Sequence, residues 1–271
     1  MKPVVVTTNL KAFSDTAMEL AVHIANKEGV DIRVCWVGDK DAVLPDGRAA
    51  SEALQAICDR YASRTAVGTV GYDIREGDVV DSVCAYAKEQ EATLLIIGST
   101  TPGKREEIKD SKHIRILYRS DVPVLLLPLS FKPQEKYGPI VVSVTSDPTT
   151  RAKLPYAVHL AKLFDTSVHV LSLIENNSER PTMRAYLSQC EQYLEAQGVA
   201  FAGAIRDYTD FFTAMADYIE SVGASFAVYY TERESLIKRI THTTAVKRAK
   251  RESNVPILGV HPDNTLVNIR L

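Results

Sequence analysis

Residues Thr93–Pro128 read TLLIIGSTTPGKREEIKDSKHIRILYRSDVPVLLLP, and the order of their apolar runs decides the fold. Leu94–Ile97 is continuously apolar, as a strand covered on both faces of a parallel sheet requires. Gly98 and Ser99 stand just past its C-terminal edge, where doubly wound sheets take their ligands. The polar stretch Thr100–Asp110 follows as a loop. Ser111 is placed to start a helix with Ile114 and Leu117 inward. Val122–Leu127 is the next buried strand.

The chain before this stretch has the same rhythm. Val4–Thr7 is a short buried strand, and Thr8, Asn9, Leu10 and Lys11 form the loop at its C-terminal edge. Ser14 or Asp15 caps a helix whose apolar face is Ala17, Leu20, Ala21 and Ile24. Gly29 ends it. Ile32–Val37 is the second strand, followed by a helix facing inward through Ala50, Ala53, Leu54, Ile57 and Tyr61. Val67–Ile74 reads as a third strand, weakened by Gly68 and Gly71. Asp78 caps a helix with Val80, Val83, Cys84 and Ala87 inward. Five strands thus alternate with four helices. Such alternation implies an α/β fold: parallel strands, right-handed crossovers and helices on both faces.

The second half repeats the first. IVVSVTSDPTTRAKLPYAVHLAK restarts the strand–helix opening, with Thr145 placed 137 residues after Thr8. SVHVLSL matches DIRVCWV. Tyr186–Gln197 reads as a long helix and VAFAGAI as a third strand. Phe211–Val222 matches Val79–Gln90, SFAVYYT matches TLLIIGS, and SNVPILGV matches SDVPVLLL. The division that follows is a first domain over 1–130, a linker over 131–139, a second domain over 140–262 and a tail over 263–271.

Composition narrows the function. The chain has 271 residues, 45% hydrophobic and 24% charged, with a net charge of −2. That is ordinary globular composition, and it gives no global attraction to nucleic acid or anionic membranes. The basic residues Lys238, Arg239, Lys247, Arg248, Lys250 and Arg251 read as a solvated helix face, diluted by Glu232, Glu234 and Glu252. No apolar run approaches the roughly 18 residues of a membrane span. The N-terminus enters a strand without the apolar region of a signal peptide, so a cytoplasmic location is expected. Cys35, Cys58, Cys84 and Cys190 share no CxxC spacing and read as reduced core thiols. His23, His159 and His169 have no partners at metal spacing.

The pattern of Leu94–Leu127 resembles the C-terminal half of a universal stress protein domain. There a strand leads to G-x-x-G, a spacer, G-[S/T], a helix, then x-Pro-Val and a last strand. The doubled S-[DN]-V-P-[VI]-L ending makes the whole chain similar to a tandem form of that family. The resemblance implies two Rossmann-like, five-stranded parallel sheets of strand order 3-2-1-4-5. It also implies that glycines and a hydroxyl hold the phosphates and ribose of a nucleotide, ATP or AMP. Gly98 matches the first glycine and Ser111 the hydroxyl. Thr101 and Asp110 stand where the second and third glycines belong, and Gly103 comes two residues late. The candidate nucleotide residues are therefore Thr8, Asn9, Gly98, Ser99, Gly103, Lys104 and Ser111.

In the second half the equivalents are Thr145, Tyr230, Thr231 and Thr244. Tyr230 fills the place of Gly98, so an inactive site is expected. The family's acidic residue at the end of the first strand is replaced by Thr8 and again by Thr145. A threonine offers one oxygen where a carboxylate offers two. Each hydroxyl bonds either the local backbone or a ligand, and the sequence leaves both open.

Gly98–Lys104 also approaches the phosphate-loop pattern G-x-x-x-x-G-K, but Arg105 stands where that loop needs Ser or Thr for Mg²⁺. The loop is then either a surface turn or a phosphate contact in which Lys104 or Arg105 replaces lost backbone donors. His113 lies beside it, and His242 beside its counterpart. No nucleophile elbow, paired carboxylates or dinucleotide fingerprint appears. Three functions are ordered accordingly. The first is a non-enzymatic binding or interaction module in stress response, with a degenerate nucleotide site and a protein partner. The second is an adenine-nucleotide sensor, and the third a slow ATP hydrolase. Family members pair through the last strand. The resemblance therefore implies pairing of Val122–Leu127 with Pro256–Val260 within the chain, and a homodimer of the whole.

Overall fold

The computed structural model describes residues 2–10, 14–38, 47–98, 112–128, 130–231 and 255–261. They fall into two compact units, Met1–Pro133 and Gln134–Leu271. The first unit runs β1 (Val4–Thr7), α1 (Ser14–Glu28), β2 (Ile32–Gly38), α2 (Gly47–Ala62), β3 (Val70–Glu76), α3 (Val79–Glu89), β4 (Leu94–Gly98), α4 (Lys112–Arg119) and β5 (Val124–Leu127). Its strands lie in the order β3-β2-β1-β4-β5, all parallel, as expected.

Both faces of the central strands are covered. Val5, Leu95, Ile97 and Val124 pack under Val80, Val83 and Ala87 of α3 and Ile116 and Leu117 of α4. The alternate residues Val4, Val6 and Ile96 are wholly buried, and α1 packs on β1 and β4. Each such Val, Leu or Ile contributes about 1.5–3 kcal/mol by leaving water. Tyr86 of α3 is also wholly buried, and its hydroxyl donates to Asp73 of β3. The Arg75 guanidinium lies 4.8 Å from the centre of its ring.

Asp78 caps α3 as expected, its carboxylate accepting the N–H groups of Val80 and Asp81 at 3.0 Å each. Asp78→Ala leaves both donors without that acceptor. It is expected to cost about 1 kcal/mol, read as a lower urea midpoint at unchanged slope.

The third strand departs from the expectation. It begins at Val70, not Val67, and Val67 is 48% exposed. Gly68 has φ +85°, and a Cβ there would meet the Val30 carbonyl oxygen at 2.5 Å. The chain turns at Gly68 before the ladder starts.

The second unit runs β6 (Ile140–Val144), a 3-10 turn (Pro148–Lys153), α5 (Leu154–Phe164), β7 (Val168–Ile174), α6 (Arg180–Ala196), β8 (Phe201–Asp207), α7 (Phe211–Val222), β9 (Phe226–Tyr230) and β10 (Ile257–Val260). Its order, β8-β7-β6-β9-β10, repeats that of the first unit. α6 starts at Arg180, earlier than the periodicity from Tyr186 indicates, with Pro181 in its first turn. The Tyr137 ring packs 4.7 Å from Phe164 and 5.3 Å from Phe226 between centres. The four cysteines are free thiols, and burial pushes Cys35 up to about 12. Among the described residues no helix is long and apolar enough to cross a membrane.

Candidate functional site

The strand order places a crevice at the C-terminal ends of β1 and β4. β1 leads into α1 on one face towards β2, and β4 leads to α4 on the other face towards β5, so the connections leaving the two strands diverge at this pair. Such a switch point is where open α/β sheets accommodate ligands. Thr7 is in register with Ile97, and Gly98 closes β4 opposite Leu127 of β5. Thr8 and Gly98 therefore follow side by side at the edge.

The chain leaves β1 through a tight turn. The Thr8 N–H donates to the Cys35 carbonyl at 3.1 Å. Thr8 Oγ1 accepts the Leu10 N–H at 3.0 Å. Leu10 has φ +61°, a left-handed conformation costing roughly 1 kcal/mol for a residue with a Cβ. The threonine hydroxyl holds that turn closed, so it bonds the local backbone. Thr8, Asn9 and Gly98 are half-buried. α4 opens with Lys112 and His113 and has no acidic residue in its first turn. The structure thus brings together Thr8, Asn9 and Gly98. Ser99, Gly103, Lys104 and Ser111 lie outside the described residues, as does Thr244 of the second unit.

The equivalent edge of the second unit is built differently. Tyr230 closes β9 opposite Val260, the same position in the ladder as Gly98 opposite Leu127. Thr231 is buried, and its N–H and hydroxyl both donate to the Val260 carbonyl, at 2.8 and 3.2 Å. Thr145 donates its N–H to Thr150 Oγ1 at 3.1 Å and accepts the Asp147 N–H at 3.4 Å. Asp147 Oδ1 caps the 3-10 turn, accepting the Thr149 N–H at 2.9 Å and its hydroxyl at 2.7 Å. Those groups are occupied by their own chain.

One polar group there is not among the sequence candidates. Lys153 is buried, and its Nζ donates to Ser143 Oγ of β6 at 2.9 Å. Burial pulls its amine down to about 7, although the Asp147 carboxylate opposes the shift. The sequence carries a trace of this polar interior. Ser143 interrupts the apolar run VVSV of β6, whereas Ser172, which interrupts VLSL of β7, is in register with Val144 and so faces the other side of the sheet. No group of three or more potential metal-ligating side chains occurs among the described residues.

Residues 1–128 match the family model described as the universal stress protein family. Among solved structures, a universal stress protein from Archaeoglobus fulgidus DSM 4304 superposes with a TM-score of 0.73 at 17% identity, covering 96% of this chain and 97% of that one. A functionally unknown protein from Pseudomonas aeruginosa PAO1 gives a TM-score of 0.68 at 14% identity, covering 97% of this chain and 94% of that one. At these identities the likeness is one of fold. Among curated proteins none matches the chain.

Proposed function

We propose, from the match of residues 1–128 to the universal stress protein family, that the chain is a binding module of the stress response rather than a catalyst. The reading rests on the residue types at the described ends of β1 and β4: Thr8, whose hydroxyl closes its own turn, Asn9, and the side-chain-free Gly98. Such groups hydrogen-bond a ligand but do not exchange protons near neutral pH. The module works in the cytoplasm and passes its state to a protein partner.

A second reading has its own support. Gly98 leaves space at the strand end, and α4 begins with Lys112 and His113 and no acidic residue. Both features suit an anion. The ligand of this reading is an adenine nucleotide, ATP or AMP, bound once per chain. Ser99, Gly103, Lys104 and Ser111 complete its site in the first unit. The second unit, with Tyr230 at the strand end, takes none.

Calorimetric titration of the whole chain with ATP and AMP, with and without Mg²⁺, tests both readings. Saturation at one nucleotide per chain supports the sensor. Two per chain overturns the assignment of the second unit. No heat and no thermal shift at millimolar ligand overturns the nucleotide reading and leaves the interaction module. Mg²⁺-dependent phosphate release that disappears on substitution of Lys104 overturns the non-catalytic reading.

A further inference from the structure

The second unit buries an amine that the binding function does not use. Lys153 ends the 3-10 turn Pro148–Lys153 and directly precedes α5, and it is 3% exposed. Its hydrogen-bond partner, Ser143 Oγ, belongs to a residue 1% exposed. A neutral amine is well served by one hydroxyl. An ammonium carries three hydrogens that each need an acceptor.

We propose that Lys153 is a proton-operated latch: while neutral it fastens the turn Pro148–Lys153 to β6 through Ser143, and on taking a proton it releases the turn from the edge of the sheet. The turn packs on β6, β9 and α5. From β6 the amine faces the uncharged Ser143. The residues before and within the turn bring the Asp147 carboxylate and the Arg151 guanidinium, the latter acting on Cys190. From α6 it faces Cys190, whose thiol burial pushes up to about 11. On α5 and β9, which pack on the turn, Tyr156 is pushed up to about 12 by burial, with Tyr230 acting on Tyr156. The shifted thiol and the Tyr156 phenol stay protonated across the range in which Lys153 changes charge.

Burial lowers the Lys153 amine from the ordinary 10.5 to about 7. An opened turn returns it to water and to the ordinary value. Between the two values the open form binds a proton that the closed form refuses. Opening therefore increases as pH falls from about 10 to about 7, by up to about tenfold per unit. Below about 7 both forms are protonated and the dependence levels off.

Hydrogen exchange of the whole chain, corrected for the intrinsic effect of pH on exchange, reads this directly. Protection of Thr145–Leu154 is expected to fall by about 100-fold between pH 9 and pH 7, with β7 and β9 unchanged. In Lys153→Met, of similar length and without charge, the fall disappears. The same slope in Lys153→Met, no slope in the unaltered protein, or equal changes in β7 and β9 each overturn the latch. The unaltered protein offers a second readout in the lysine ε-carbon resonances. One titrating near pH 7 supports the proposal, and all titrating at the ordinary value overturn it.

Discussion

Replacing Gly98 with tyrosine is expected to weaken adenine-nucleotide binding by about 100-fold, a loss of about 2.7 kcal/mol. Gly98 is the last residue of β4 and lies opposite Leu127, beside the turn that Thr8 closes. On the nucleotide reading a phosphate or sugar lies against that strand end, where a phenol ring would occupy its space. The substitution writes the second unit's own residue into the first, because Tyr230 holds the matching position opposite Val260. Tyrosine is a good strand former, and Gly98 is half-buried rather than enclosed, so the unliganded melting temperature is expected to change little. Calorimetry and ligand-free thermal unfolding of the same variant separate the two effects. A variant that folds as the parent does and keeps its affinity removes the nucleotide from this crevice. The reverse change, Tyr230→Gly, is not expected to create a site. The contacts Thr145–Thr150, Asp147–Thr149 and Thr231–Val260 remain and keep the polar groups of that edge engaged.

The architecture was legible because its strands are short and buried on both faces. VVVT, IRVCWVG and LLIIG are nearly continuous apolar runs, and the doubled ending SDVPVLLL and SNVPILGV fixes where each sheet closes. The Asp78 cap was legible because an aspartate before an apolar helical face has one strong local use. The edge of β3 was not. Val67 carries the right chemistry for a strand, but Gly68 turns the chain at positive φ against the Val30 carbonyl, and only tertiary contact reveals this. The choice for the Thr8 hydroxyl, local backbone or ligand, needed the left-handed Leu10 to show its local use. Lys153 was hidden for a different reason. A lysine before an apolar helix reads as a solvated flank, since lysine is rarely buried. Its signal lay elsewhere, in Ser143, which interrupts a buried strand and accepts its hydrogen bond. The repeat alignment pairs Tyr230 with Gly98, and the strand register gives the two the same place in their ladders.

Gly138→Ala is expected to destabilise the second unit by about 3 kcal/mol, at the upper end of ordinary overpacking. A Cβ at Gly138 would lie well inside contact distance of the Gly223 carbonyl oxygen, where α7 ends. The obstacle is backbone, so no rotamer change relieves it. Nor can Gly138 retreat. Its N–H donates to Ser225 Oγ at 2.7 Å, and its carbonyl accepts the Thr166 hydroxyl at 2.9 Å. Next to it the Tyr137 ring is packed against Phe164 and Phe226, and the Pro139 carbonyl accepts the Ser225 N–H at 2.9 Å. Gly198→Ala is the control. Gly198 follows α6 at φ +68°, with nothing within 4 Å of a new Cβ. Only left-handed strain applies there, about 1 kcal/mol. Urea unfolding of both variants should therefore rank Gly138→Ala well below Gly198→Ala. Equal losses would mean that the approach of the Gly223 carbonyl is relieved at little cost and does not set the requirement for glycine at the entry to β6. That entry also matters for chemistry, since β6 carries Ser143 and leads into Thr145. A strand shifted at its first residue moves the partner of Lys153 at its penultimate one. Gly138→Ala is thus expected to weaken protection of Thr145–Leu154 as well as global stability, whereas Gly198→Ala leaves that segment as it is.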